Sequence, residues 1–200
     1  MRSMNAWVWV AIVGALSGCG NGGGGSGDAC TAYVDVAAAS DVVIRIVNHR
    51  STEVYVDTEC GVAFDVEAGG VTHPGGMSAM QSTCFALQSE QPHCCDCASS
   101  GTAIPPGGTW ETHWSGLFYD TTEMPAACYG SPPEGQTAVQ PAPTACAQPT
   151  AATAGPMRLL PHVYATSTSH SAAWPSVSDP IKVEKDFVLG TDGVVEVIVP

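Results

Sequence analysis

Two hundred residues, 44% hydrophobic and 12% charged, supply enough chain for one sizeable core and too little for two. The charged fraction is well below the roughly 25% of an ordinary soluble domain, and 22 glycines with 15 prolines call for many turns and few long helices. A formal net charge of -13 argues against nucleic acid as a partner and against attachment to anionic lipid through a basic patch.

The chain opens with one basic residue, Arg2, and the apolar run Ala6–Leu16, too short for the ~20 residues that span a bilayer. This pattern predicts the hydrophobic region of an export signal. Leu16-Ser17-Gly18-Cys19 follows, and these four residues resemble the lipobox of bacterial lipoproteins. The resemblance implies cleavage before Cys19, removal of residues 1–18 and a diacylglycerol anchor on the Cys19 thiol. Loss of Arg2 then leaves five basic against nineteen acidic side chains, near -14. Residues 19–29 make a tether, because Gly20–Gly27 has no side chains to bury and Gly/Ser linkers behave as flexible coils. Gly20 in place of Asp after the cysteine implies sorting to the outer membrane where the cell has one. No later stretch approaches transmembrane length, so residues 30–200 are expected to form one exported domain.

Eight cysteines remain: Cys30, Cys60, Cys84, Cys94, Cys95, Cys97, Cys128 and Cys146. Export oxidises such thiols, and an even number predicts up to four bridges, although sequence does not choose among the 105 pairings. The pairing expected first is Cys128 with Cys146, since both lie in Pro125–Pro156, an irregular segment with seven prolines. A loop of about that size is worth roughly 3 kcal/mol in the chain-entropy model. His93-Cys94-Cys95-Asp96-Cys97 also invites a metal reading, with His93, Cys94, Cys95 and Cys97 as ligands for zinc or copper. The disulfide reading is preferred, because no C-x-x-C partner elsewhere completes a zinc site.

Along the domain, Asp41–Asn48 alternates with Val42, Ile44 and Ile46 on one face, and Glu53–Asp57 alternates again after turn residues. The two are expected to pair as a hairpin. Val62–Val66 is a further short strand. Thr83–Gln88 is a strand, or Met77–Leu87 a short helix, with Met77 and Met80 as packing residues. Ile104–Gly108 is a Pro-Pro-Gly-Gly turn. Trp110–Trp114 then places Trp110, Thr112 and Trp114 towards the core and Glu111 and His113 towards solvent. Met157–Ala165, interrupted by Pro161, is expected as an edge or bulged strand. Ile181–Leu189 and Val194–Val199 flank Gly190–Gly193 as a second hairpin.

Seven to nine short strands without sustained helix or βαβ units predict an all-β protein, an immunoglobulin-like antiparallel sandwich with long disulfide-stapled loops, a barrel being the alternative. The strand Val42–Asp57 followed by Ile104–Gly116 is similar to the immunoglobulin-like proteinase-inhibitor domains of bacteria, through Asn48, Pro106, Gly107 and Trp114. The resemblance implies the sandwich and, as a functional alternative, protease inhibition.

Catalytic signatures are absent from the sequence: there is no Gly-x-Ser-x-Gly elbow, His-Glu-x-x-His helix or Walker loop. Glu111 and His113 share a strand face, as solvated alternation alone produces. His49, His73, His162 and His170 are expected on turns or at the surface, and Trp174 either under a loop or as an exposed anchor. The expectation is a non-catalytic, cofactor-free lipoprotein of the cell envelope, membrane-bound through its lipid and presenting the loops Gly69–Ser100 and Tyr119–Pro156 to a protein or glycan.

Overall fold

The computed structural model describes residues 30–58, 62–77, 81–89, 101–130, 145–170 and 174–200, with backbone alone for 168–170 and 174–176. Among these residues run thirteen strands and no α-helix. They are β1 (Val42–Asn48), β2 (Val54–Asp57), β3 (Phe64–Ala68), β4 (Val71–Pro74), β5 (Gly101–Ile104), β6 (Thr109–Trp114) and β7 (Leu117–Glu123). The remainder are β8 (Ala145–Ala151), β9 (Gly155–Pro161), β10 (Val163–His170), β11 (Trp174–Ile181), β12 (Lys185–Leu189) and β13 (Val194–Val199).

The protein is an all-β sandwich. One layer is the sheet β13-β1-β6, and the other is built from β12-β9-β3-β4 and β11-β10-β2-β5. Only His162 separates β9 from β10, so one run of chain passes from the first of these sheets into the second. Alternation fills the space between the layers. Val42, Ile44, Trp114, Val195 and Val197 meet Phe64, Val66, Met157, Leu159, Phe187 and Leu189 in one core cluster. Ile46 and Val199 meet Val54, Val56, Ile104 and Val163 in a second, and Ala63 and Val183 pack against both. Each such aliphatic side chain contributes about 1.5–3 kcal/mol when fully buried.

β6 has the orientation its alternation predicts. Trp114 is 1% exposed, its Nε1 donates to the Leu117 carbonyl at 2.9 Å, and its ring meets Phe118 and, edge-on, Phe187. On the outer face Arg45 lies between Glu111 and Glu196, opposite it on β6 and β13. These pairs are exposed, so they set solubility and register more than stability.

Three strand pairings differ from the expectation. β1 does not form a hairpin with β2: it pairs parallel with β13 and antiparallel with β6. Nor do β12 and β13 pair, since β12 lies beside β9 and β13 beside β1. In both cases the turn carries the chain between layers, and a strand keeps the same period-two pattern whether its successor lies beside it or across the core. Met157–Ala165 is not an edge strand either: β9 lies between β12 and β3, and β10 between β11 and β2. Pro161 is tolerated there because the ladder breaks at the next residue.

The first inter-layer turn is held by Asn48, the one buried polar side chain among the described residues. Its Nδ2 donates to the carbonyls of Thr52 (2.8 Å) and Ile104 (2.9 Å), and its Oδ1 accepts from the Arg50 amide at 2.9 Å. The Asn48 main chain also bonds Gly107 and Gly108, so one residue ties the 49–53 turn to the Pro-Pro-Gly-Gly turn.

β7 and β8 form a separate two-stranded ribbon. Gly116, at φ 70°, turns the chain from β6 into β7; a Cβ there would lie 3.0 Å from the Ser40 Cβ in a backbone region that L residues avoid. Phe118, in the ribbon's first half, belongs to the sandwich core. Its far end carries a small knob with its own core, where Cys84, Leu87, Met124, Cys128 and Cys146 are buried against Cys30, Tyr33 and Tyr129.

Candidate functional site

Two disulfides build the knob: Cys30–Cys128, joining residues 98 apart, and Cys84–Cys146, joining residues 62 apart. The expected Cys128–Cys146 bridge is therefore wrong. Proximity in sequence favoured it, but β8 carries Cys146 antiparallel to β7 and presents it to the 83–88 segment, where Ala147 and Thr83 form a bridge. The expected strand or helix around that segment is replaced by a 3-10 turn, Ala86–Gln88. Met77 is 40% exposed rather than packed. Cys19, Cys60, Met80, His93, Cys94, Cys95 and Cys97 lie outside the described residues.

Residues 78–80, 90–100 and 131–144 of the two segments expected as binding loops lie outside the described residues, and the described parts of both carry strands. Gly69-Gly70 is a turn between β3 and β4, whereas Tyr119–Pro156 contains most of β7, all of β8 and the start of β9. Hydrogen bonding accounts for this: the β7–β8 ladder runs from Leu117↔Ala151 to Glu123↔Ala145.

The histidines are more engaged than their turn-rich contexts imply. His73 stacks on Phe118 with ring centroids 4.3 Å apart, and its Nδ1 lies 2.9 Å from Asp120 Oδ1, linking β4 to β7. His113 pairs with Asp41 at 2.7 Å on the outer face. His162 sits at the β9–β10 break. Its amide donates to the Ala63 carbonyl, Nδ1 lies 2.5 Å from the Val62 carbonyl, and Nε2 lies 3.0 Å from Asp65 Oδ2. These contacts fix the ring's orientation. The sequence signal was present, since Pro161-His162 interrupts an otherwise continuous strand pattern, but the partners are about a hundred residues away.

His162 lines a cleft of about 290 Å3 bounded by Leu160–Tyr164 on one side and Pro180–Val183 on the other. Tyr164 lies directly across from Tyr55 on β2. Beside them Gly101 permits a close approach, because a Cβ there would lie 2.7 Å from Val177 and 3.1 Å from the Tyr55 Cβ. Lys182, Asp65 and Asp57 give the surroundings both signs of charge, and among the described residues Asp57 Oδ1 is a buried oxygen without a hydrogen-bond partner. The combination of an apolar trough, two tyrosines at facing strand positions and a few polar groups suits recognition. Among the described residues no three His, Cys, Asp or Glu side chains converge as a metal site.

Three tyrosine hydroxyls are held above their usual range near pH 10. Tyr164 is raised by burial first and then by Asp57 and Asp65; Tyr129 by burial and then Tyr33; Tyr55 by its hydrogen bond to Glu53 first. The unfolded chain loses these protons near pH ~10 while the folded protein retains them. Stability is accordingly full below that pH and lost as pH rises through the folded values. Urea melts at several pH values, read beside tyrosinate absorbance, are expected to show late ionisation with falling stability; ordinary ionisation with flat stability would contradict the assignment.

Comparison of the chain with protein-family models, with curated proteins and with solved structures gives no match. Among the described residues the chain is an all-β sandwich with a disulfide-stapled knob and an apolar cleft beside Tyr55 and Tyr164.

Proposed function

We propose that this chain is an exported, lipid-anchored binding module of the cell envelope, held by Cys19 and recognising a protein or glycan without catalysing a reaction. The observation that carries the reading is the pair of long-range disulfides. Structural bridges form and persist in oxidising compartments and are rare in the cytosol. The lipobox-like Leu16–Cys19 supplies the route there and the anchor. Outer-membrane placement rests on Gly20. Recognition is assigned to the cleft beside Tyr55 and Tyr164, because a pre-formed concave apolar surface loses little entropy on binding.

The test compares the chain from Gly20 to Pro200 with its Tyr55→Ala/Tyr164→Ala variant for retention on purified envelope glycan and on solubilised envelope proteins. Saturable binding that weakens at least about tenfold in the variant, roughly 1.4 kcal/mol, is expected while both forms melt alike. Equal retention of the two would remove the cleft from the account.

A further inference from the structure

We infer that the disulfide knob is the face the domain turns to the membrane, laying Phe85 and Val34 against a zwitterionic lipid surface. The inference rests on lipidation of Cys19, and three independent features support it. The first is where the leash ends. Cys19 and Cys30 are eleven residue steps apart, at most about 40 Å at ~3.6 Å per residue. Cys30 is fixed to Cys128 in the knob, so the anchored chain enters the fold there and not at the start of β1.

The second is how that end is secured. The Tyr33 hydroxyl donates to the Glu123 carbonyl, Gln88 Nε2 donates to the Tyr33 carbonyl, and the Ala39 and Ser40 amides bond Ser115 at the ribbon base. Residues 30–40 therefore run back along the ribbon. A pull on the leash is taken by the knob.

The third is surface chemistry. Phe85 is 47% exposed and Val34 53%, on the two segments joined by the Gln88–Tyr33 hydrogen bond. In the described knob and ribbon segments, 30–40, 81–89, 117–130 and 145–151, only Asp35, Asp120 and Glu123 carry charge, and Asp120 is paired with His73. All five basic residues of the mature chain, Arg45, Arg50, Arg158, Lys182 and Lys185, lie on the sandwich. A nearly uncharged surface with exposed apolar side chains loses little hydration on meeting lipid headgroups, and without Lys or Arg it gains nothing from anionic lipid.

The experiment places a hexahistidine tag before Gly20, standing in for the lipid, and holds the chain on phosphatidylcholine vesicles containing a nickel-chelating lipid. Hydrogen exchange is followed by mass spectrometry against the same protein without vesicles. Exchange is expected to slow at least about fivefold in Thr31–Asp35 and Phe85–Gln88 and to stay unchanged in His49–Glu53 and Pro105–Gly108. Phe85→Ser with Val34→Ser should abolish the slowing without shifting the melting temperature, and anionic lipid should not enhance it. No slowing, or slowing at the Asn48 corner instead, overturns the inference. The mass of the protein from its native membrane fraction decides the anchor separately: an unmodified Cys19 defeats the lipoprotein reading, whatever the vesicles show.

Discussion

Removing the Cys84–Cys146 bridge, as Cys84→Ala/Cys146→Ala, is expected to melt the knob while the sandwich stays folded. Closing 62 residues is worth about 4 kcal/mol in the chain-entropy model, and engineered cases commonly give less. Both sulfurs are also buried in the knob core, where the other buried side chains are Leu87, Met124 and the Cys128 of the remaining bridge. Leu87 and Met124, at about 1.5–3 kcal/mol each, do not offset about 1–2 kcal/mol of backbone entropy per ordered residue, even with Cys30–Cys128 still closed. The sandwich, by contrast, has two clusters of its own and shares with the ribbon chiefly Phe118. Native-state hydrogen exchange of the variant should therefore show fast exchange in 30–35, 81–89 and 121–130, with β1, β9 and β13 still protected. A single transition in which sandwich and knob are lost together would show that the ribbon transmits stability in a way the packing does not suggest.

Asn48→Ala is expected to destabilise the sandwich by about 2–4 kcal/mol, a large share of a domain's total. The substitution deletes three hydrogen bonds and leaves the Ile104 carbonyl buried beside a cavity. Asn48→Asp has nearly the same shape and should be worse at neutral pH, because it sets a carboxylate against two carbonyl oxygens in a dry site. In that variant burial raises the folded-state pKa of the new carboxyl above its unfolded value, so its stability relative to wild type recovers on acidification and is lost as pH rises. Denaturant melts of both variants beside wild type, from mildly acidic to neutral pH, provide the check. A loss below about 0.5 kcal/mol for Asn48→Ala would mean that water replaces the side chain and that the corner is not held by it.

Much of the local structure is legible in the residues. Val42, Ile44 and Ile46 alternate into the core as predicted, and Trp114 faces inward with Glu111 and His113 outward. What is not legible is partnership. The alternation of β1 is the same whether its neighbour is β2 or β13, and Gly190–Gly193 turns the chain equally well beside itself or across the core. Cysteine pairing fails for a related reason: loop-closure entropy changes slowly with length, so nearness along the chain ranks Cys128–Cys146 only weakly above the bridges that form. The Tyr55–Tyr164 pair and the His162–Asp65 contact each join positions about a hundred residues apart, which no local pattern encodes.

Mass spectrometry of the protein purified from its membrane fraction, before and after reduction, decides whether the chain is exported, anchored at Cys19 and stapled by Cys30–Cys128 and Cys84–Cys146. The expected result is a mature chain beginning at Cys19 with a lipid mass on that residue, and linked peptides Cys30–Cys128 and Cys84–Cys146 that separate only on reduction. An intact residue 1, or free thiols at those four positions, would contradict it.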